Sequence, residues 1–343
     1  MTSPRNAPAP NFGHLISMTD ARGTFEHALF REARPEHGYC TDDMARVLVV
    51  ATRESSAGPE VRHLAVLALR FLLEALEPQG KCRNRMNQDG TWEDTPTLND
   101  CWGRCIWGLG TAASHSDDDE IRHRATRGLE QALRPRSPWP RAMAFAVLGA
   151  AELLTVHPND SSARALLVDA ADSMTRVRWH AGWPWPERRL TYANATLPEA
   201  MIVAGSALDR PVLLKRGLDL LEWLLDRQTS RGHLSVTPAG GSGPEDHGPG
   251  FDQQPIEVAA LADACARAHS VDSNNQRWLD GQTVAANWFL GDNDGSVVMW
   301  DPETGGGFDG LEIGGVNRNQ GTESTLALLS TLQHARTSVS VLQ

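Results

Sequence analysis

Long apolar runs are missing from this 343-residue sequence. None approaches the ~20 residues of a membrane-spanning helix. The N-terminus has neither the basic start nor the apolar segment of a secretory signal, so a cytoplasmic location is expected. Residues 1–11, with three prolines, read as a disordered leader to a single domain over 12–343. Basic charge is short as well: the net charge of −11 argues against nucleic acid or anionic membrane as the main partner. The five cysteines (Cys40, Cys82, Cys101, Cys105 and Cys265) are odd in number and form no Cys-x-x-Cys pair. That suits a reduced interior better than a disulfide scaffold. No nucleophile elbow, zinc signature or phosphate-cradling loop occurs. Gly305-Gly306-Gly307 runs into Phe308-Asp309-Gly310, not into a Lys-Ser/Thr pair. Asp292-Asn293-Asp294-Gly295 lacks the spacing of a calcium loop and reads as a turn. No metal or cofactor is expected.

What the chain does have is a recurrence. Six times a loop of aromatic, acidic and amide residues runs into an alanine- and leucine-rich stretch. The starts are 38–43, 98–102, 137–140, 190–194, 251–254 and 318–323, spaced widely enough for one helical hairpin each. Behind them lie helices with few charges: 44–51, 105–113, 142–154, 198–207, 256–268 and 324–332. A helix apolar nearly all round is buried on every side. Between these come one-sided stripes at 3.6 spacing, over 61–75, 121–133, 163–177, 214–225 and 278–289, as in helices with one solvated face. Asp209 and Pro211 read as the opening of the fourth stripe. Six inner helices alternating with outer ones predict an all-α (α/α)6 barrel, with residues 24–33 as the sixth outer helix. A flap over 237–250 and a β-hairpin within 291–317 are expected above the pocket.

Only two tyrosines occur, Tyr39 and Tyr192, and both fall in the polar starts. Flat rings beside carboxylates and amides suit carbohydrate, because the ring stacks on a sugar's apolar face while polar groups take its hydroxyls. Trp183 and Trp185, in a Gly-Trp-Pro-Trp-Pro-Glu segment that proline keeps from being helical, read as surface-lining. Trp107, Trp223 and Trp288 sit within helical stripes and read as core. Hydrolysis of a glycosidic bond takes one carboxyl as acid and a second as base or nucleophile. The candidates are Asp42, Asp43, Asp100, Glu187, Asp252 and Glu323, all at or near inner-helix starts. A helix N-terminus favours the ionised form, which suits a base, yet also describes an ordinary cap. Adjacent Asp42 and Asp43 raise one another, a route to a protonated acid. Asp43 as acid and Glu323 as base is the first pair, since the first and sixth inner helices become neighbours when the barrel closes. Substrate contacts are expected from Tyr39, His37, Trp102, Trp139, Trp183, Trp185, Tyr192, Asn194, Gln253, Gln254, Glu257, Asp309, Asn319 and Gln320.

Four segments carry a resemblance. They are 20–46 (with His-Gly-Tyr-Cys-Thr-Asp-Asp-Met-Ala-Arg), 183–195, 251–257, and 304–311 with 317–326 (Asn-Arg-Asn-Gln-Gly-Thr-Glu-Ser-Thr-Leu). Together they resemble bacterial (α/α)6 domains of the six-hairpin glycosidase-like group, often encoded beside or fused to glycosyltransferases. Ala193 stands where an aspartate is common, and Pro186 where an aromatic is usual. The resemblance implies a carbohydrate-active enzyme and a functional link to a glycosyltransferase. Within that frame the expected activity is glycoside hydrolysis of an oligo- or polysaccharide, with inversion preferred. One rival is a sugar epimerase or isomerase using loop histidines (His27, His37). Another is a non-catalytic glycan-binding module.

Overall fold

The computed structural model describes residues 7–54, 57–175 and 182–341, with side chains followed to residue 336. Residues 1–6 of the expected leader lie outside them; Ala7 packs against the core. A short helix, α1 (Gly13–Ser17), leads to a hairpin of β1 (Ala28–Leu29) and β2 (Glu32–Ala33). Strand β3 (Tyr39–Cys40) then enters α2 (Thr41–Arg53), followed by α3 (Pro59–Ala75) and β4 (Arg85–Met86), which pairs with β3. Next come α4 (Asp100–His115), α5 (Asp119–Ala132), α6 (Pro140–Val156), α7 (Ser161–Thr175), α8 (Thr196–Ala207) and α9 (Pro211–Arg227). The hairpin β5 (Thr229–Ser230) and β6 (His233–Leu234) precedes α10 (Pro255–Val271) and α11 (Arg277–Phe289). The hairpin β7 (Gly310–Glu312) and β8 (Gly315–Asn317) precedes α12 (Thr322–Val341).

The even-numbered helices α2 to α12 form the inner ring, each packed on the next, and α12 returns to α2. Gln333 Nε2 donates to the Val50 carbonyl across that closure, at 2.9 Å. The odd-numbered helices α3 to α11 form the outer layer, each against the inner helix before it. The observed inner helices start one to five residues earlier than the apolar runs predict. The difference is the polar first turn, whose N–H groups a run of alanines does not reveal.

The sixth outer position differs from expectation. Residues 24–33 do not form a helix: they carry the β1–β2 hairpin, and the short α1 packs on α12 and α3 instead. Asp209 is not the cap of α9 either. It sits at φ 53°, and Arg210 is the N-cap. The expected turn at 292–295 is present, held by Asn293 Nδ2 donating to the Trp288 and Val297 carbonyls. Among the described residues no helix is long and apolar enough to cross a membrane.

Small residues set the ring's tightest contact. A Cβ on Gly149 of α6 would lie 2.0 Å from the Ile106 carbonyl oxygen of α4, and one on Gly110 would lie 2.1 Å from that of Gly149. Backbone meets backbone there, so neither wall can yield by turning a rotamer. Gly149→Val should therefore cost at least about 1–3 kcal/mol by overpacking, read as a lower urea midpoint. Gly240→Ala, where nothing lies within 4 Å, should stay within about ±0.5 kcal/mol. Equal stability of the two variants would contradict this packing.

Candidate functional site

The six inner helices point their N-termini to one end of the ring, and there the polar starts meet. Arg46 is the link. It stands one turn into α2 and is buried. Its Nη2 donates to Asp43 Oδ1 at 2.6 Å and its Nη1 to Glu323 Oε2 at 2.7 Å. The first and sixth inner helices are thus joined by one guanidinium. Asp43 also accepts from the Cys40 thiol at 3.1 Å, and the Asp43 N–H donates back to that sulfur, which caps α2. Beside it, Asp42 accepts from Asn84 at 3.0 Å, and its other oxygen lies 3.4 Å from Arg104 Nε of α4. Tyr192 donates its hydroxyl to Asp100, the first residue of α4, at 2.6 Å. Arg141 of α6 stacks on the Tyr192 ring at 4.7 Å, donates to Glu187 at 2.5 Å and to Asn194 Oδ1 at 3.2 Å. Asn194 Nδ2 donates to Glu257 of α10 at 2.7 Å. A chain of ion pairs and hydrogen bonds therefore runs around most of the mouth, from α12 through α2, α4 and α6 to α10.

A bowl of about 420 Å³ opens inside this ring, lined among others by Glu26, His27, Asp42, Asp43, Arg46, Arg85, Asp252, Gln254, Asp309 and Glu323. Its carboxyls differ in state. Burial raises Asp309 to about 6, against the lowering pull of the Gly321 N–H and the Ser324 hydroxyl, with Glu323 and Asp252 adding to the rise. Glu323 is the opposite case. Burial would raise it, but Arg46 and Arg104 outweigh burial and hold it below its usual value. Asp42 and Asp43 are raised by burial, with Arg104 and Arg46 respectively opposing. Asp252 is raised by burial and by the charge of Glu312, and its Oδ1 is buried without a hydrogen-bond partner. Burial also lowers His27, helped by His37, whose ring meets it edge-on at 5.0 Å.

Several expected substrate contacts stand behind the wall rather than on it. Trp102 is fully buried and donates its Nε1–H to the Ala132 carbonyl. Trp185 is buried and stacks on Trp223 at 5.9 Å, and Trp183 meets the same ring edge-on. These two tryptophans form a cluster with Arg227 instead of a sugar platform. Tyr39 is buried, its hydroxyl on Asp20. Gln253 is spent on Gly250 and Asp294, and Gln320 on Asp301. Asn319 accepts from the Phe30 N–H. His37 is exposed, and Trp139 is 58% exposed. Asp43, the first expected acid, is 1% exposed and has both oxygens bonded, one to Arg46 and one to Cys40.

Arg46, Arg104 and Arg141, with Glu26 and Arg85, went unread as site residues in the sequence. The available signal was a cation set in an otherwise uncharged helix, which demands a buried partner. One group of donor atoms is compact enough for a metal ion among the described residues: Glu26, Cys40 and Asp43. It fits poorly. Arg46 and Arg85 already pair with its two carboxylates, and burial pushes the Cys40 thiol far up, away from the thiolate a metal needs.

Glu257 offers a test of this network. Burial raises it to about 7 against the hydrogen bond from Asn194. A carboxyl raised on folding contributes stability at low pH, and that contribution is lost as pH climbs from the unfolded value toward 7. Glu257→Gln should therefore gain relative to wild type between about pH 4.5 and 7.5, by on the order of 2 kcal/mol. Urea unfolding at both pH values checks this; a constant difference would argue against a protonated Glu257.

No protein-family model matches the chain, and no curated protein sequence is significantly similar to it. Solved structures are similar in fold. A sugar epimerase from a ruminal bacterium superposes with a TM-score of 0.70 at 13% identity, over 95% of each chain. The cellobiose 2-epimerase of Spirochaeta thermophila gives 0.67 at 13% identity, over 96% of this chain and 94% of its own. An alpha-mannanase of family GH76 from Bacteroides thetaiotaomicron gives 0.64 at 12% identity, over 89% and 88%. What the chain shares with them is the (α/α)6 barrel.

Proposed function

We propose that the chain is a carbohydrate-active enzyme that hydrolyses glycosidic bonds in the bowl at the helix N-termini. Asp309 acts as general acid and Glu323 as general base. The observation that carries this is the contrast between two carboxyls lining one bowl: Asp309 raised to about 6 and Glu323 held ionised by Arg46. Opposed states in neighbouring carboxyls are what acid–base cleavage requires. Asp309 gives its proton to the leaving oxygen as the anomeric C–O bond breaks. Glu323 takes a proton from the water whose oxygen bonds the anomeric carbon, which inverts that centre. Asp252, Gln254 and His27 line the same space and contact the sugar. Asp42 and Asp43 hold Arg104 and Arg46, and Asp100, Glu187 and Tyr192 extend the wall toward α4 and α6. The link to a glycosyltransferase rests on the sequence resemblance.

The sugar epimerases among the fold neighbours support a second reading, in which His27 carries the proton. It is the only histidine lining the bowl among the described residues, and its lowered value keeps it neutral and basic.

Oligosaccharides containing mannose, glucose or arabinose, incubated in heavy water, separate the two. Cleavage without deuterium on carbon is expected, and deuterium on a sugar carbon without cleavage would overturn hydrolysis. On a cleaved substrate, Asp309→Asn should lose at least ~100-fold in kcat/KM. The loss should be far smaller on an aryl glycoside, whose leaving group needs no proton. Glu323→Gln should lose on both. Wild-type kcat/KM should fall above about pH 6 as Asp309 gives up its proton, consistent with its raised value. An undiminished Asp309→Asn would remove the acid assignment.

A further inference from the structure

We propose that the end of the barrel opposite the bowl holds a second ligand site, which takes a phosphate group. A cavity of about 470 Å³ opens there among the later turns of α2, α4, α6, α10 and α12, with Glu199 reaching it from the first turn of α8. Its floor is Glu199 of α8 and Asp263 of α10, which also line a narrow interior void walled by Val49, Trp107, Phe145, Leu148 and Leu326. Arg46 and Arg104 line the far side of that void, so it lies between the cavity and the bowl.

Glu199 is the observation that calls for a ligand. It is 4% exposed, lines the cavity, and makes no side-chain hydrogen bond or ion pair among the described residues. Its carboxyl therefore faces the cavity with its hydrogen-bonding capacity unused by the described residues. Its neighbours are all paired. Arg53 Nη1 donates to Asp263 at 2.9 Å, and His334 lies on the same oxygen at 2.6 Å. Arg267 pairs with Glu152, and His115 lies 3.1 Å from that carboxylate. Arg336 on the rim pairs with Glu54.

The pairing decides the ligand's chemistry. Asp263 and Glu152 are held far below the usual carboxylate range: burial opposes this, but Arg53 with His334, and His115 with Arg267, outweigh it. Their charge is spent. Burial, then the charge of Asp263, raises Glu199 to about 8, so near pH 7 it presents an O–H. Each of Arg53 and Arg267 makes one of these bonds and carries five N–H groups. The wall is therefore rich in donors, and an oxyanion between the two guanidiniums would take the Glu199 proton as its third bond. A metal ion would have to displace both arginines from the acids. A neutral sugar would find no Phe, Tyr or Trp face among the described residues that line this cavity.

Calorimetric titration of the full chain with inorganic phosphate and with a hexose 6-phosphate tests the site. Saturable one-to-one binding below ~10 mM is expected. Tighter binding of the ester would identify a sugar phosphate as ligand, and equal binding the free ion. Ser270→Asp sets a carboxylate at the mouth without removing any pair and should weaken binding at least ~10-fold. Arg85→Gln, in the bowl, should leave it unchanged. Sulfate, whose charge is constant with pH, should bind more weakly near pH 9 than near pH 7 as Glu199 ionises beside Arg53, His115, Glu152, Asp263, Arg267, His334 and Arg336. Glu199→Gln should flatten that dependence. No saturation with phosphate or sulfate, or loss in Arg85→Gln but not in Ser270→Asp, would overturn the proposal.

Discussion

The structure depends on a charge problem at the mouth of the ring and on the arginines that solve it. Packing six helix starts around one bowl brings Asp42, Asp43, Asp100, Glu187, Glu257 and Glu323 together. Helix N-termini favour each carboxylate alone, but like charges in a shared, partly dry space repel. Arg46, Arg104 and Arg141 are 8%, 5% and 5% exposed, and each reaches from its own inner helix to carboxylates or carbonyls of a neighbouring segment. Removing Arg46 would strand the buried carboxylate of Asp43, which typically costs about 3–5 kcal/mol. The same contacts that hold the ring shut thus tune the site. Glu323 is ionised because Arg46 spans the α12–α2 closure.

That dependence is why the proposed acid is Asp309 rather than Asp43. Asp43 is raised too, but its oxygens are committed to Arg46 and Cys40, so a proton there has no path to a leaving group. Asp309 lies on the loop between β7 and the strand-like bridge at Trp300–Gly307, and it makes no ion pair among the described residues. Its only described supports are the Gly321 N–H and the Ser324 hydroxyl. Sequence favoured Asp43 because a carboxylate doublet is visible in one dimension. That Asp309 pairs with no arginine among the described residues is visible only in three.

The alternation of inner and outer helices was legible because composition reports burial directly. A stretch such as 142–154 has no polar face to give water, whereas 214–225 has one. The missing sixth outer helix was not legible. Its place is taken by the five-residue α1, too short to show a 3.6 period, while 24–33 looks helical only until its chain reversal at Phe30, φ 52°. Tryptophans were misread for a related reason. Trp102 and Trp185 sit in polar segments, but sequence position does not say which way a ring points, and both rings turn into the core. The arginines escaped because the chemistry sought was acidic, although a lone cation in an alanine-rich helix was itself a statement about a buried partner.

The two ends of the barrel follow from one arrangement of dipoles. All six inner helices run the same way, so their N–H ends converge on the bowl and their carbonyl ends on the opposite face. The first collects acids and the second favours cations. Arg53 closes α2, His115 closes α4 and Arg267 lies in the last turns of α10. Acids at that second end, Glu152 and Asp263, survive only in the grip of those cations. Glu199 has no such partner among the described residues, and burial, with the charge of Asp263, raises it to about 8. Glu323 and Glu199 are thus the same side chain, each in the first turn or so of an inner helix. They differ because one is paired with an arginine at 2.7 Å and the other makes no ion pair among the described residues.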